Sequence, residues 1–230
     1  MKLTADYHTH TVHSHGSGSV TDNIEAAISR GLSAVGITDH SIAHPLYGVK
    51  RSRVGYYLEC IARAKEVFAG RIEVKAGIEL NLTGLSGRYD LPEGAFDVVI
   101  MGYHKAALCT DLKTVWTFFR GKRVNAITQA YVQAIQTGHI HIVSHPGYGI
   151  PVDYRLLARA CADYGVLFEI NEKHGDLTPE DINQAAIEPV KFLISSDAHR
   201  PEDVGCAPNA LRLAQRASLP LSRIVNITEE

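Results

Sequence analysis

The sequence predicts an α/β fold from two features: the first indicates a parallel sheet with helices, and the second favours a closed (β/α) barrel over a doubly wound sheet. First, short apolar runs alternate with amphipathic segments along the chain, which is typical of parallel strands covered by helices. Second, polar residues follow several different runs at their C-terminal ends, and only a barrel brings all of those ends to one mouth. The length of 230 residues suits one such unit, so we expect residues 1–230 to form a single domain.

The predicted strands are seven runs, several of them rich in valine and isoleucine. They cover residues 3–7, 34–38, 72–82, 96–103, 140–144, 166–171 and 190–196. The polar residues that end different runs are His8, Asp39 with His40, Glu79, His104, His145 and Asp197. A last apolar stretch, residues 224–227, fits either an eighth strand or a cover over the chain terminus.

The predicted helices are the amphipathic segments between these runs, in which apolar residues recur with the period of a helix. They cover residues 21–30, 53–68, 111–136, 153–163, 179–187 and 209–217. Boundary residues agree with these limits, because Thr21 or Asp22 can cap the first helix and Thr178 precedes a proline that suits a first turn. Gly31 and Gly138 are expected to end two of the helices.

Composition excludes several classes of protein. The 23 basic and 25 acidic residues give a formal charge of -2, which argues against a general nucleic-acid binder. Charged residues appear at positions 2 and 6, and no apolar stretch approaches the ~18 residues of a membrane span, so we expect no membrane segment and a cytoplasmic protein. The four cysteines contain no C-x-x-C pair and are expected to be reduced.

Histidine is abundant, with 12 residues, and two short motifs give this abundance a chemical meaning. His8 and His10 lie two residues apart, so on an extended chain both imidazoles face one way and can bind one ion, with Asp6 able to orient them. Asp197 and His199 repeat this spacing near the other end of the chain. The two pairs together predict a metal site.

Four signature regions and two further motifs resemble those of the polymerase and histidinol phosphatase (PHP) family of metal-dependent phosphoesterases. The signature regions are residues 6–10 (DYHTH) with 14–16 (SHG), 37–40 (ITDH), 144–146 (SHP), and 195–199 (SSDAH) followed by 201–205 (PEDVG). Residues 77–79 (GIE) and 102–104 (GYH) resemble two intervening ligand positions of the family. The resemblance spans roughly residues 6–205, and it implies a distorted seven-stranded (β/α) barrel with a trinuclear metal centre.

The resemblance also implies a ligand set for each ion. One ion would bind His8, His10, Glu79 and Asp197, a second would bind Glu79, His104 and His145, and a third would bind His15, His40 and His199. Glu79 would therefore bridge two ions. His13 lies in the same loop as His15 and is the alternative to it. Imidazole and carboxylate ligands favour three divalent transition-metal ions, Zn, Mn or Fe, over Mg.

The charge of such a centre points to a substrate class. Three divalent ions with two carboxylates carry a charge of about +4, which suits a phosphate dianion, and the ions can generate a metal-activated hydroxide as nucleophile. We therefore take Asp197 and His199 as catalytic candidates, together with Lys105 and Arg200, which follow two ligand positions and are expected to clamp phosphate oxygens.

The function expected from these features is hydrolysis of small phosphomonoesters, and histidinol phosphate is one candidate substrate. A nuclease or phosphodiesterase acting on nucleic-acid ends or nucleotides is the first alternative, and the acidic balance argues against it. An amidohydrolase-like barrel and a non-catalytic metal-binding module are the others. The sequence carries no signal for the oligomeric state.

The remaining polar residues are expected to have structural or solvent-exposed positions. Asp39 is expected to support the ligands rather than bind metal, and His44 and His174 are expected to be solvated loop residues. The basic run at residues 120–123 is expected on the exposed face of one long helix.

Overall fold

A computed structural model describes residues 1–229 and shows seven parallel strands in a nearly closed barrel surrounded by helices. The barrel strands are β2 (Ala5–Asp6), β3 (Ala34–Ile37), β4 (Glu73–Asn81), β5 (Val98–Gly102), β6 (Ile142–Val143), β7 (Leu167–Asn171) and β8 (Phe192–Ser195). Each strand pairs with the next in chain order. The predicted (β/α) barrel is therefore confirmed.

The two edge strands, β2 and β8, are joined by different contacts at the two ends of the barrel. At the C-terminal end, a parallel bridge pairs Thr9 with Ala198. At the opposite end, the buried amide of Asn226 donates to the carbonyls of Ala5 at 2.8 Å and Ile194 at 2.6 Å, and it accepts from the Ile194 N–H at 3.0 Å. One side chain thus replaces part of the missing ladder of hydrogen bonds.

Seven α-helices lie in the described part of the chain. They are α1 (Val20–Ser29), α2 (Val54–Val67), α3 (Leu112–Arg120), α4 (Val124–Ile135), α5 (Tyr154–Tyr164), α6 (Pro179–Ala186) and α7 (Pro208–Arg216). The cap of α6 is Thr178, as predicted. Helix α1 begins one residue earlier than predicted, at Val20, because its cap is Ser19 and not Thr21 or Asp22; Asp22 completes the capping box.

One predicted helix is wrong, and one open alternative is decided. Residues 111–136 form two helices because Gly121 adopts a left-handed conformation, with φ of 57°, and ends α3. The basic run at residues 120–123 therefore lies at a helix break and not along one helix face. Residues 224–227, for which the sequence allowed an eighth strand or a terminal cover, form no eighth barrel strand. Ile224 makes one isolated parallel bridge to Phe192, and β9 (Ile227–Thr228) pairs antiparallel with β1 (Lys2–Leu3) in a separate two-stranded sheet.

The strand register places the polar site on an apolar layer inside the barrel. Ile100 pairs with Glu79 on one side and with Ile142 on the other, and Leu193 pairs with Glu169. Val98, Ile100, Ile142 and Leu193 form their own buried apolar cluster, separate from the larger core between strands and helices. The carboxylates of Glu79 and Glu169 thus lie beside a dry layer of side chains, toward the mouth of the barrel.

The four cysteines form no disulfide in the structure. None of the helices within residues 1–229 combines the length and the apolar character that a membrane crossing needs.

Candidate metal centre

The first group of predicted ligands meets where β2 and β4 end. The rings of His8 and His10 lie 5.1 Å apart, and their Nε2 atoms are 3.2 and 3.5 Å from the two carboxylate oxygens of Glu79. Asp197 follows β8 and places Oδ1 at 3.1 Å from Nε2 of His10. The four residues of the first predicted set are therefore neighbours.

Glu79 is the hub of the cluster. Its Oε1 lies 3.1 Å from Nε2 of His104 and 3.0 Å from Nε2 of His145, the other two residues of the second predicted set. Its Oε2 lies 2.8 Å from Nδ1 of His40. Burial alone would raise the pKa of Glu79, but His104, His8 and His40 hold that pKa well below its usual value, so the side chain is a carboxylate.

The third predicted set, His15, His40 and His199, lies on the side of the cluster that the loop after β2 lines. His40 and His199 lie together with His10 at distances that one ion can span. The ring of His15 is 4.2 Å from that of His199 and 4.9 Å from that of His40. His13, the alternative, packs against Tyr57 at 5.2 Å, outside the cluster, so the geometry favours His15.

The imidazoles in this part of the site are held neutral. Burial and the neighbouring His40 lower the pKa of His10 well below its usual value. Burial and His199 lower the pKa of His15 to about 3, and burial lowers that of His40 to about 4. A neutral imidazole keeps a lone pair available for a metal ion.

His174 is part of the cluster, although the sequence suggested a solvated loop residue. Its Nε2 is 3.5 Å from Oδ2 of Asp197, and the two residues form a possible ligand group with His145. Its ring stacks on Tyr148 at 3.8 Å. Burial and His145 lower its pKa to about 4. The expectation was wrong because the loop after β7 packs His174 against His145 and Tyr148 at the edge of the cluster.

Glu169 orients His8, a predicted ligand, and the sequence analysis missed this role. Its Oε1 lies 2.7 Å from Nδ1 of His8, and its Oε2 accepts from the backbone N–H of His145 at 2.6 Å. A carboxylate on Nδ1 leaves Nε2 of His8 free to face Glu79, as in many histidine metal sites. The missed signal was an acidic residue between Phe168 and Ile170 in an apolar strand.

Two aspartates hold the backbone around the ligands. Asp6 was expected to orient the imidazoles; its carboxylate instead accepts from Ser196 and, at 2.8 Å, from the Gly205 N–H, which ties β2 to the end of β8. Asp39 accepts from the N–H of Thr11 at 2.7 Å and of Ser14 at 3.1 Å. It thus supports the loop that carries His15, as predicted.

Unusual backbone conformations bring two predicted ligands into place. His145 and Asp197 have positive φ values of 27° and 52°, which residues other than glycine rarely adopt. The approach of His145 also requires Gly102, since a Cβ there would lie 2.4 Å from Ser144 Oγ and 2.5 Å from His145 Cε1. Such strain is concentrated at functional sites.

A cavity of about 250 Å³ lies over the cluster. Of the two side chains predicted to bind phosphate, Lys105 and Arg200, one lines this cavity and the other does not. Lys105 lines it, as predicted. Arg200 does not reach it: the side chain is 60% exposed, and its guanidinium binds Asp203 at 3.0 and 3.2 Å. Lys173, which the sequence analysis did not single out, lines the cavity and places Nζ 2.6 Å from Nδ1 of His199.

The wall of this cavity contains His44, which was expected to be solvated and is buried. Its Nδ1 accepts from the N–H of Tyr47 at 3.1 Å, and the two rings stack at 4.6 Å. Tyr47 in turn stacks on His15 at 4.4 Å. His44 therefore supports the wall next to the third predicted ligand set.

The buried atoms of the cluster fit divalent metal ions. Within residues 1–229, several approach one another, as Nδ1 of His40 and Oε2 of Glu79 do at 2.8 Å, but have no partner with the geometry of a hydrogen bond. They are Nε2 of His8, both ring nitrogens of His10, Nδ1 of His40, Oε2 of Glu79 and Oδ1 of Asp197. Unpaired buried polar atoms are rare in proteins because each loses its bonds to water. A cation between these lone pairs would satisfy them and balance the two carboxylates.

Comparisons with known proteins agree with this chemistry. The family model of the PHP domain matches residues 6–173. Proteins named "Probable phosphatase" from Thermoanaerobacter sp. (strain X514) and Caldanaerobacter subterraneus are each 30% identical over 98% of this chain, covering 91% and 88% of their own lengths. A histidinol phosphate phosphatase from Lactococcus lactis, solved with zinc, L-histidinol and phosphate, has a similar fold, with a TM-score of 0.68, 15% identity and 95% coverage of both chains.

Proposed function

Because the chain belongs to the PHP family of metal-dependent phosphoesterases, we propose that it is a phosphatase that hydrolyses small phosphomonoesters at a centre of three metal ions. The observation that carries this proposal is the ring of histidines around Glu79, with buried lone pairs that have no hydrogen-bond partner in the described chain. The relatives named as phosphatases support the same reaction class.

We assign the ions to the three predicted ligand sets, of which the first two share Glu79 as a bridge. The distances around Glu79 support the first two sets, and the proximity of His15, His40 and His199 supports the third. His174 is an additional ligand candidate beside Asp197. When bound, the ions would supply an activated water as nucleophile and positive charge for the phosphate oxygens.

The chain's own residues would bind and orient the phosphate. Lys105 and Lys173 line the cavity over the cluster and are proposed to hold phosphate oxygens, with Lys173 taking the role first expected of Arg200. Asp197 and His199 line the same cavity and stay proposed as catalytic residues. Burial lowers the pKa of Lys173, which makes its ammonium group more dependent on an anionic partner.

The alternatives fit the molecule less well. The cavity of about 250 Å³ suits a small ester, whereas a nuclease needs a groove that follows a strand. The formal charge of -2 adds no general attraction for nucleic acid. A purely structural metal site would be closed by protein ligands, but this cluster lines an accessible cavity.

The test is a substrate panel with metal-loaded protein, measured as kcat/KM for small phosphomonoesters, phosphodiesters and DNA ends. We expect the monoesters to be hydrolysed fastest and chelator-treated protein to be inactive. Faster nucleotide release from DNA ends would instead support the nuclease alternative. Inactivity toward all three classes with the metals bound would support a binding module.

A further inference from the structure

A cleft of about 490 Å³ lies at the break between α3 and α4. We call it the cationic cleft, because four of the six residues that line it are basic. The basic residues are Lys113, Arg120, Lys122 and Arg123, and the other two are Trp116 and Thr117. The cleft shares no lining residue with the cavity over the metal cluster, so an occupant would bind outside the proposed catalytic site.

The helix break brings the basic side chains together. Four of the lining residues are spaced three or four positions apart and therefore lie on one face of α3. Gly121, in its left-handed conformation, ends that helix and turns the chain, so that the next two residues line the same cleft. The guanidinium of Arg120 lies 4.7 Å from the centre of the Trp116 ring, which holds the cation beside an exposed indole.

The positive charge of the cleft has no acidic counterpart nearby. The sequence contains no aspartate or glutamate from residue 112 to residue 152. In the part of the chain that the structure describes, the ion pairs of lysine and arginine involve other residues, namely Arg63, Lys65, Lys75, Arg155 and Arg200. The four basic side chains of the cleft are exposed. Cations that converge on a concave surface attract anions, and arginine matches the geometry of phosphate.

The start of α4 adds backbone donors to these cations. Arg123 precedes its first turn, and no described side chain caps the helix there. The first N–H groups of a helix have no partner within the helix, and the helix dipole favours an anion beside them. A neighbouring depression shares Lys122 and Arg123 with the cleft and is lined by residues 124–126. The cations and these N–H groups can therefore bind different phosphates of one ligand.

We propose that the cationic cleft binds a chain of two or more phosphates, carried by a nucleoside polyphosphate or by a free inorganic oligophosphate. Two adjacent groups of donors, side-chain cations and helix N–H groups, fit several linked phosphates better than one. The exposed indole of Trp116 is a stacking surface that a nucleobase would use and an inorganic ligand would not. The inference does not depend on the proposed phosphatase function, because the cleft and the metal centre are separate.

Trp116 allows a direct test, because it is the one tryptophan in the chain. Metal-loaded protein is titrated with the magnesium complexes of adenylyl imidodiphosphate and of inorganic tripolyphosphate, while the fluorescence of Trp116 and ligand retention in equilibrium dialysis are measured. We expect saturable binding that weakens as the salt concentration rises. Tighter binding of the adenylyl compound would identify a nucleotide, and equal or tighter binding of tripolyphosphate would identify an inorganic ligand.

The variant that tests the cleft combines Lys122→Gln with Arg123→Gln. We expect Kd to rise at least about tenfold, because each cation contributes charge-assisted hydrogen bonds to phosphate. The matched control combines Arg51→Gln with Arg159→Gln, two exposed arginines outside the cleft, and should leave Kd unchanged. Both double variants should keep the circular dichroism spectrum and the kcat/KM for a small phosphomonoester, which separates a binding defect from misfolding.

Three results would overturn the inference. The first is no change in Trp116 fluorescence and no retention of either ligand. The second is an equal Kd in the unmodified protein and in Lys122→Gln with Arg123→Gln, since the phosphates would then bind elsewhere. The third is binding of a DNA oligonucleotide that neither small ligand displaces, which would assign the cleft to nucleic acid. Absence of phosphatase activity with this binding intact would contradict the proposed function alone.

Discussion

Glu79 is the residue on which most of the proposed centre depends, because each of its oxygens lies near a different group of histidines. Glu79→Gln keeps the size of the side chain but replaces one anionic oxygen with an amide that cannot bridge. We expect kcat to fall about 10²-fold or more, with loss of bound metal and an unchanged circular dichroism spectrum.

Glu73→Gln is the matched control for this change. Glu73 lies at the other end of β4, is exposed, and pairs with Lys75 at 2.6 Å. Its loss should change turnover and metal content little. Near-normal turnover and metal content in Glu79→Gln would contradict the bridging assignment.

Glu169 should act through the ligands that it positions. Glu169→Gln weakens the hydrogen bond that fixes the ring of His8, so we expect metal affinity to fall about 10- to 100-fold. The measurement is competition with a chelator of known affinity, independent of activity. Glu180→Gln, on the exposed first turn of α6, should leave the affinity unchanged. If the unmodified protein, Glu169→Gln and Glu180→Gln bound metal with equal affinity, Glu169 would have only a structural role.

Residues could be predicted where spacing along the chain determines which way they face. His8 with His10 and Asp197 with His199 are such pairs, and the structure brings all four together. Glu169 was missed because its role depends on barrel closure, which brings β7 to within one strand of β2, with β8 between them, and which no local pattern records. His174 and Lys173 were missed for a similar reason, because a loop's path over the mouth is set by tertiary contacts.

At the scale of an element, Gly121 determines that α3 and α4 are separate. Gly121→Ala should lower the free energy of unfolding by about 1 kcal/mol, because a Cβ disfavours its left-handed conformation, measured by chemical denaturation. Gly55→Ala is the control: Gly55 lies within α2 with open space around it, and alanine should stabilise by about 0.5–1 kcal/mol. Stabilisation by both changes would contradict the assigned break.

The helical period predicted the presence of these elements better than their ends. Residues 111–136 keep an amphipathic pattern across the break, and a single glycine is compatible with a continuous helix, so the pattern alone predicted one element. The cap of α6 was predicted correctly because Thr178 and the following proline are local signals. The pairing of β9 with β1 joins residues near the two ends of the described chain, so no local sequence pattern indicates it.

At the scale of the whole molecule, Asn226 should stabilise the barrel by joining its edge strands. Asn226→Ala leaves buried backbone groups of Ala5 and Ile194 without partners, so we expect a loss of about 3 kcal/mol and a Tm lower by roughly 5–10 °C. The exposed Asn125→Ala is the control. An unchanged Tm in Asn226→Ala would contradict this role in closure.

The barrel itself was predictable because the ends of its strands carry the polar residues of one site, which a doubly wound sheet would have dispersed. The closure of the barrel could not be predicted, because it depends on the Thr9–Ala198 bridge and on Asn226, which are contacts between residues far apart in the sequence. The metal centre and the barrel mouth thus depend on the same junction between β2 and β8.

The central claim is that three metal ions at the mouth of the barrel perform phosphomonoester hydrolysis. The most direct measurement is a titration of chelator-treated protein with zinc or manganese, following phosphate release from a small phosphomonoester and bound metal by elemental analysis. We predict that activity rises to a plateau at about three ions per chain. Full activity with a single bound ion, or in metal-free protein, would contradict the account.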